Sequence, residues 1–336
     1  MNELLIAPEN KIIFAIWFFL TGLCIGSFLN VVILRGLSNE SIVFPASKCP
    51  KCGNKLKWWM NIPVLSYILI KGKCRYCKEP VSIQYPVVEF ITGLFFLLIF
   101  LKFNLSAQTF FYITGFSIFT VMAVTDIKES VIFDLHAYLL IITGLIFNSL
   151  PFYDSPGFLG SLGGGAVGFI LYEIMARSGY IFAGQRAFGE GDSLIAAGIG
   201  AFFGWKMVIV SSFISVILMA VCVLPYFLIH SYKTGKKKTV FALIVSIFLI
   251  MTAFLVSKLK MIKSFEEAMI FLIVIITGAI LCAYFIIDDM KKKDEEGNLE
   301  LFVLPFGPSM MISFILIMFF EKEIEGFINT YLSAIS

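Results

Sequence analysis

The sequence predicts an all-α polytopic membrane protein of about ten transmembrane helices with one small cytosolic zinc-binding loop domain. Three observations predict it. Charged residues make up 15% of the chain and hydrophobic ones 59%, where a soluble domain has about 25% charged residues. Apolar runs long enough to span hydrocarbon recur from one end to the other. Two Cys-x-x-Cys pairs lie among lysines in the only stretch long and polar enough to fold outside a bilayer. The lipid bilayer is the expected environment, and nucleic acid is not expected as a partner.

Taken in order, the first apolar run covers residues 11–34. Its poorly basic start and long core argue for an uncleaved span with its N-terminus outside rather than a signal peptide. Arg35 and a lysine-rich segment follow, so residues 36–86 are expected to be cytosolic. Further apolar runs fall at 87–104, 107–125, 131–150, 157–176, 190–204, 206–230, 239–257, 267–287 and 301–320. Alternating orientation then puts Arg177 and Arg186, Lys233 with Lys236 to Lys238, and Lys291 to Lys293 on the cytosolic side, as the positive-inside rule demands. Lys258, Lys260 and Lys263 break the rule, and they lie inside the pair of spans at 239–287.

The same alternation brings two acids to one face. The run at 107–125 ends at Asp126 on the cytosolic side, and the run at 190–204 begins there, at Asp192. A carboxylate at the edge of hydrocarbon is costly and is read first as a functional residue. An Asp in the first turn of a helix can also serve merely as an N-cap. Two acids held close in a low-dielectric site cannot both ionise, and a dyad sharing one proton can activate water and protonate an amide leaving group. Gly189 and Gly191 flank Glu190 before Asp192 and leave the backbone free to approach a neighbour. Ala196, Gly200 and Gly204 continue the Asp192 face at intervals of four, a close-packing stripe. Asp134 also begins a span on the cytosolic side, where an N-cap role is expected.

Cys49-Pro-Lys-Cys52 and Cys74-Arg-Tyr-Cys77 form a C-x2-C-x21-C-x2-C pattern, the spacing of two knuckles closing around one tetrahedral Zn²⁺. Four thiolates fill the coordination shell, so the expected metal is structural. Disulfides would conflict with the cytosolic placement. Cys24, Cys222 and Cys282 lie inside spans and read as small apolar side chains.

With these pieces in place the chain resembles the type IV prepilin leader peptidases, bifunctional membrane aspartic proteases that also N-methylate the new N-terminus. The resemblance rests on Gly22-Leu-Cys-Ile-Gly-Ser-Phe-Leu-Asn-Val-Val-Ile-Leu-Arg35, on Ser47 through Cys52, Trp58, Asn61-Ile-Pro and Ser66-Tyr67, and on Gly72-Lys-Cys-Arg-Tyr-Cys77 with Tyr85-Pro-Val-Val-Glu89. It continues through Gly189-Glu-Gly-Asp192 and Leu304-Pro-Phe-Gly-Pro308. It implies Asp126 and Asp192 as catalytic acids, with Gly189 and Gly191 supporting them, and S-adenosylmethionine as methyl donor. No glycine-rich cofactor loop is visible, and Glu89 beside the zinc loop is the candidate for that activity. Lys128 stands where many members have a second Asp, and Ile132-Phe133-Asp134 replaces their Leu-Pro-Asp. The family usually has eight spans, which makes 239–287 an inserted pair and gives three parts: a first span at 1–35, a zinc-binding domain at 36–86 and a peptidase domain at 87–336. The implied substrates are type IV prepilins or pseudopilins in the bacterial inner membrane, cleaved after Gly at the cytosolic face. The alternative is a non-enzymatic transporter or assembly scaffold whose zinc loop docks a partner, since transporters also place acids in broken helices.

Overall fold

A computed structural model describes residues 8–150, 156–183, 189–233 and 306–333. The chain divides into two compact units. The second is Met175–Ala187 and Val216–Leu304, and the inserted pair expected at 239–287 lies outside the described residues. The first is made of Met1–Ile174, Phe188–Ser215 and Pro305–Ser336, and it holds Asp126, Asp192 and the four paired cysteines.

The described elements of the chain are helical, in the order α1 (Pro8–Leu37), a single 3-10 turn (Trp58–Asn61), α2 (Leu65–Leu69), α3 (Gln84–Phe103), α4 (Ala107–Glu129), α5 (Asp134–Ser149), α6 (Gly157–Ala183), α7 (Glu190–Lys233) and α8 (Gly307–Ser333), with α6 and α7 each extending beyond the first unit. Five helical segments among the described residues are long and apolar enough to cross a membrane, and Asp134–Ser149 is a shorter apolar helix. The chain is a multi-pass membrane protein.

Lipid offers no hydrophobic drive between helices, so they associate where small residues let backbones touch. On α1, Gly22 and Gly26 face α3, and a Cβ at either would lie 2.7 Å from the Gly93 Cα or 2.8 Å from the Glu89 Cα. Phe18 stacks on Phe100 beside them, ring centroids 4.6 Å apart. The expected small-residue stripe of α7 finds its counterpart in α6. Gly160, Gly164 and Gly168 recur at intervals of four and oppose Gly204, Gly200 and Ala196 in antiparallel order, and a Cβ at Gly164 would overlap the Gly200 carbonyl.

α7 is two legs. Tyr172 on α6 lies close to both Asp192 and Ser212, yet a straight helix would separate those two residues by about 30 Å. The chain folds back at Gly204, whose φ of 79° and ψ of 176° belong to a region essentially reserved for glycine. The runs expected at 190–204 and 206–230 are thus separated at the break. Helix ends leave carbonyls without intrahelical partners, a serious cost away from water. Asn148 Nδ2 donates to the Ala201 and Phe202 carbonyls at 2.8 and 2.9 Å, and the Ser161 hydroxyl also donates to Ala201. The second leg runs beside α8, where the Ser313 hydroxyl meets Ser211 at 2.7 Å and Ser215 at 2.9 Å. Phe119, Phe202, Phe203 and Phe314 fill the space between α4, α7 and α8.

Gly164→Ala is expected to lower stability by about 1–3 kcal/mol through overpacking. Asn148→Leu should cost a similar amount by stranding the Phe202 carbonyl. Thermal unfolding of the detergent-solubilised protein measures both.

Candidate functional site

Asp126 and Asp192 are 5% and 6% exposed, and each sits at a helix end, in opposite senses. Asp126 lies in the last turn of α4, where the helix dipole disfavours an anion. The compensating donor comes from another helix: Gly307, first residue of α8, donates its backbone N–H to Asp126 Oδ2 at 2.7 Å. A helix N-terminus is a ready site for a carboxylate. The approach is close enough that a Cβ at Gly307 would stand 2.8 Å from the same oxygen.

Asp192 is the third residue of α7, and its Oδ2 accepts the Gly189 N–H at 3.0 Å. This is the reaching-back half of a capping box, so Asp192 does stabilise its helix start, but from the third position rather than as the N-cap. Gly191 is required by contact, since a Cβ there would fall 2.6 Å from the Ile132 Cβ. Asp134 does not cap α5 as expected. Phe133 is the cap residue, without a side-chain hydrogen bond, and Asp134 is simply the first residue of the helix.

The two acids lie at the same end of the first unit. α8 starts at Asp126 and runs antiparallel to α4, with Phe314 against Phe119. Phe306, next to Gly307, packs on the Tyr172 ring at 6.1 Å between centroids, and Tyr172 senses Asp192. Ser193 donates to Glu173 Oε2 at 3.4 Å beside it. Tyr172, Glu173 and the main-chain N–H of Gly307 were not among the expected residues. The available signal was Tyr172-Glu173 interrupting a glycine-rich apolar run; a main-chain donor leaves no side-chain signature.

The four cysteines come together. Their Sγ atoms all lie within 4.8 Å of one another, and Cys49 Sγ is 3.9 Å from Cys77 Sγ. A tetrahedral site with Zn–S bonds of about 2.3 Å needs sulfurs about 3.8 Å apart, whereas a disulfide needs about 2.05 Å. The two knuckles repeat one backbone design. Gly53 N–H returns to the Cys49 carbonyl and Lys78 N–H to the Cys74 carbonyl, each at 2.9 Å, and Gly53 and Lys78 both have positive φ. Backbone N–H groups of Cys77 and Tyr76 draw the Cys74 thiol down to about 6. At Cys77 the Glu79 N–H acts downward too, but burial and the neighbouring thiols push it up to about 12. Such sharing of protons among crowded sulfurs is what a divalent cation relieves.

Glu89 is buried, its carboxylate accepts the Val64 N–H at 2.7 Å, and its Cα packs against Gly26 of α1. Val64 has φ 60° and ψ −50°, an uncommon conformation for a β-branched residue. Glu89 thus ties the start of α2 to α1 and α3.

A model of the bacterial peptidase A24 N-terminal domain matches residues 20–103, and one of the type IV leader peptidase family matches residues 113–224. The chain is 35% identical over 196 residues to the prepilin leader peptidase/N-methyltransferase of Myxococcus xanthus, covering 58% of this chain and 57% of that protein. Proteins of the same description from Klebsiella pneumoniae and Dickeya chrysanthemi are 29% and 30% identical over 208 and 210 residues. The matches cover 60% and 56% of this chain and 90% and 74% of theirs. No solved structure matches the chain.

The purified full-length protein is expected to carry about one divalent metal ion per chain, and Cys74→Ser should remove most of it, as elemental analysis will measure.

Proposed function

Because the chain belongs to the type IV leader peptidase family, we propose that it is an aspartic endopeptidase that removes the leader from type IV prepilins or pseudopilins and N-methylates the new N-terminus. The observation that carries this reading is the joint match to the peptidase model and to relatives described as prepilin leader peptidase/N-methyltransferase. The burial of Asp126 and Asp192 at one end of the helices supports it. A scaffold or transporter has no comparable support.

In the proposed reaction the two acids act as a pair with one shared proton. The ionised member takes a proton from water as the water oxygen attacks the peptide carbonyl, and the protonated member supplies the proton for the departing amine. Gly307 N–H orients Asp126, and Gly189 N–H orients Asp192. Gly191 allows the first turn of α7 its close approach to Ile132. Zn²⁺ is the metal we assign to the four cysteines, holding the 36–86 domain in shape. S-adenosylmethionine is the proposed methyl donor. Glu89 would support methylation by fixing the zinc loop to the spans, since its carboxylate is engaged by the Val64 N–H.

The proposed topology has ten spans in the bacterial inner membrane, with 1–35 as the first span, 87–336 as the peptidase domain, and 239–287 as an inserted pair. Both acids and the zinc domain then face the cytosol, where a basic leader would still be attached to its apolar helix.

Asp126→Asn or Asp192→Asn is expected to abolish cleavage of a co-expressed prepilin while leaving the protein inserted, whereas Asp134→Asn keeps most activity. Full cleavage in either dyad variant would refute the pair. Gly307→Ala, which crowds Asp126 without removing it, should slow cleavage, giving an intermediate band pattern on gels. Cys49→Ser or Cys74→Ser should reduce methylation, read by mass of the processed pilin, more than cleavage.

A further inference from the structure

Between α1 and α3 the loop shows apolar side chains that a segment surrounded by water would hide. Trp58 is 80% exposed, Phe44 75%, Val43 73% and Leu69 70%. On α2, Leu65, Ile68 and Leu69 are all exposed and stand at i, i+3 and i+4, forming one stripe.

Hydrogen bonds to the spans hold both patches at the membrane boundary. Arg35, in the last turn of α1, donates to the carbonyls of Ser41, Ile42 and Pro45. This draws Val43 and Phe44 back to where α1 ends. Val64, the cap of α2, donates to Glu89, the sixth residue of α3, so the α2 stripe starts beside the first turns of a spanning helix.

Charge supplies the complement. From 38 to 83 the loop carries eight Lys and Arg residues against two Glu, and all eight cations are exposed. Lysines bordering exposed aromatic and aliphatic side chains are the chemistry of an interfacial segment: the apolar groups enter the boundary between headgroups and acyl chains, and the ammonium groups meet lipid phosphates. An acidic soluble protein would satisfy the lysines but leave unexplained why the apolar patches are tied to span ends. A basic peptide would be repelled by this surface.

We propose that the four-cysteine loop lies on its own bilayer, with Val43, Phe44 and the Leu65–Ile68–Leu69 stripe in the headgroup region and the lysines on anionic phospholipid. The metal-bound knuckles then act as a rigid body that rests on the membrane beside the helix ends bearing Glu89 and Arg35.

The test is hydrogen–deuterium exchange of the full-length protein in nanodiscs of phosphatidylcholine alone and of phosphatidylcholine with phosphatidylglycerol, following residues 41–46 and 63–71. Exchange in both segments is expected to slow with phosphatidylglycerol, by roughly fivefold for each lysine engaged. Replacing Lys48, Lys51, Lys55 and Lys57 together by Gln, half of the loop's cations, should weaken that lipid dependence while metal content is unchanged. Equal rates in both lipids overturn the proposal. So does protection that appears only when a prepilin is added, which would assign the face to substrate. The wild-type lipid comparison decides the matter even if the quadruple variant misfolds, and its readout is independent of cleavage.

Discussion

Backbone meeting backbone at Gly164 and Gly200 is the contact on which the rest of this helical unit depends. In hydrocarbon, side-chain burial gains nothing between helices, so close approach and satisfied main-chain groups must hold the assembly together. With α6 and the first leg of α7 in register, Asp192 and Ser193 come level with Tyr172 and Glu173. The same register leads the chain to Gly204, where it must turn, and the turn is tolerable because Asn148 and Ser161 take up the freed carbonyl groups. The return leg then meets α8 through serines, whose hydroxyls bond to each other where bulkier polar groups would hold the helices apart.

The two acids illustrate how differently one charge can be accommodated. Asp192 sits at the favourable end of its own helix and uses its own loop as donor. Asp126 sits at the unfavourable end of α4 and relies on the start of a distant helix. Proximity in a single layer of helix ends does not make the two environments alike. In the proposed reaction, that asymmetry suits one acid to hold a proton while the other does not.

Much of this was legible in the sequence where a property is local. The cysteine spacing announced the knuckles because each needs only four consecutive residues and a tight turn. The break near Gly204 was legible from the lengths of the two apolar runs. The glycine stripe of α6 was not singled out, because its meaning depends on which helix lies opposite. Tyr172 is one aromatic among many until the fold places it between Phe306 and Asp192. Gly307 contributes through its main chain, which no residue pattern reports. Glu89 was noticed beside the zinc loop, but its attachment to Val64 could not be read from positions 25 residues apart.

The bond from Gly307 to Asp126 joins residues 181 positions apart. Ribosomes deliver α4 to the membrane long before α8, so during synthesis the acid is in place while its helix-end donor has yet to be made. Helix α8 is therefore the one that completes the arrangement, and a chain cut short before it would retain both acids without the N–H that orients the first. An incomplete product would carry in the last turn of α4 a carboxylate lacking that donor.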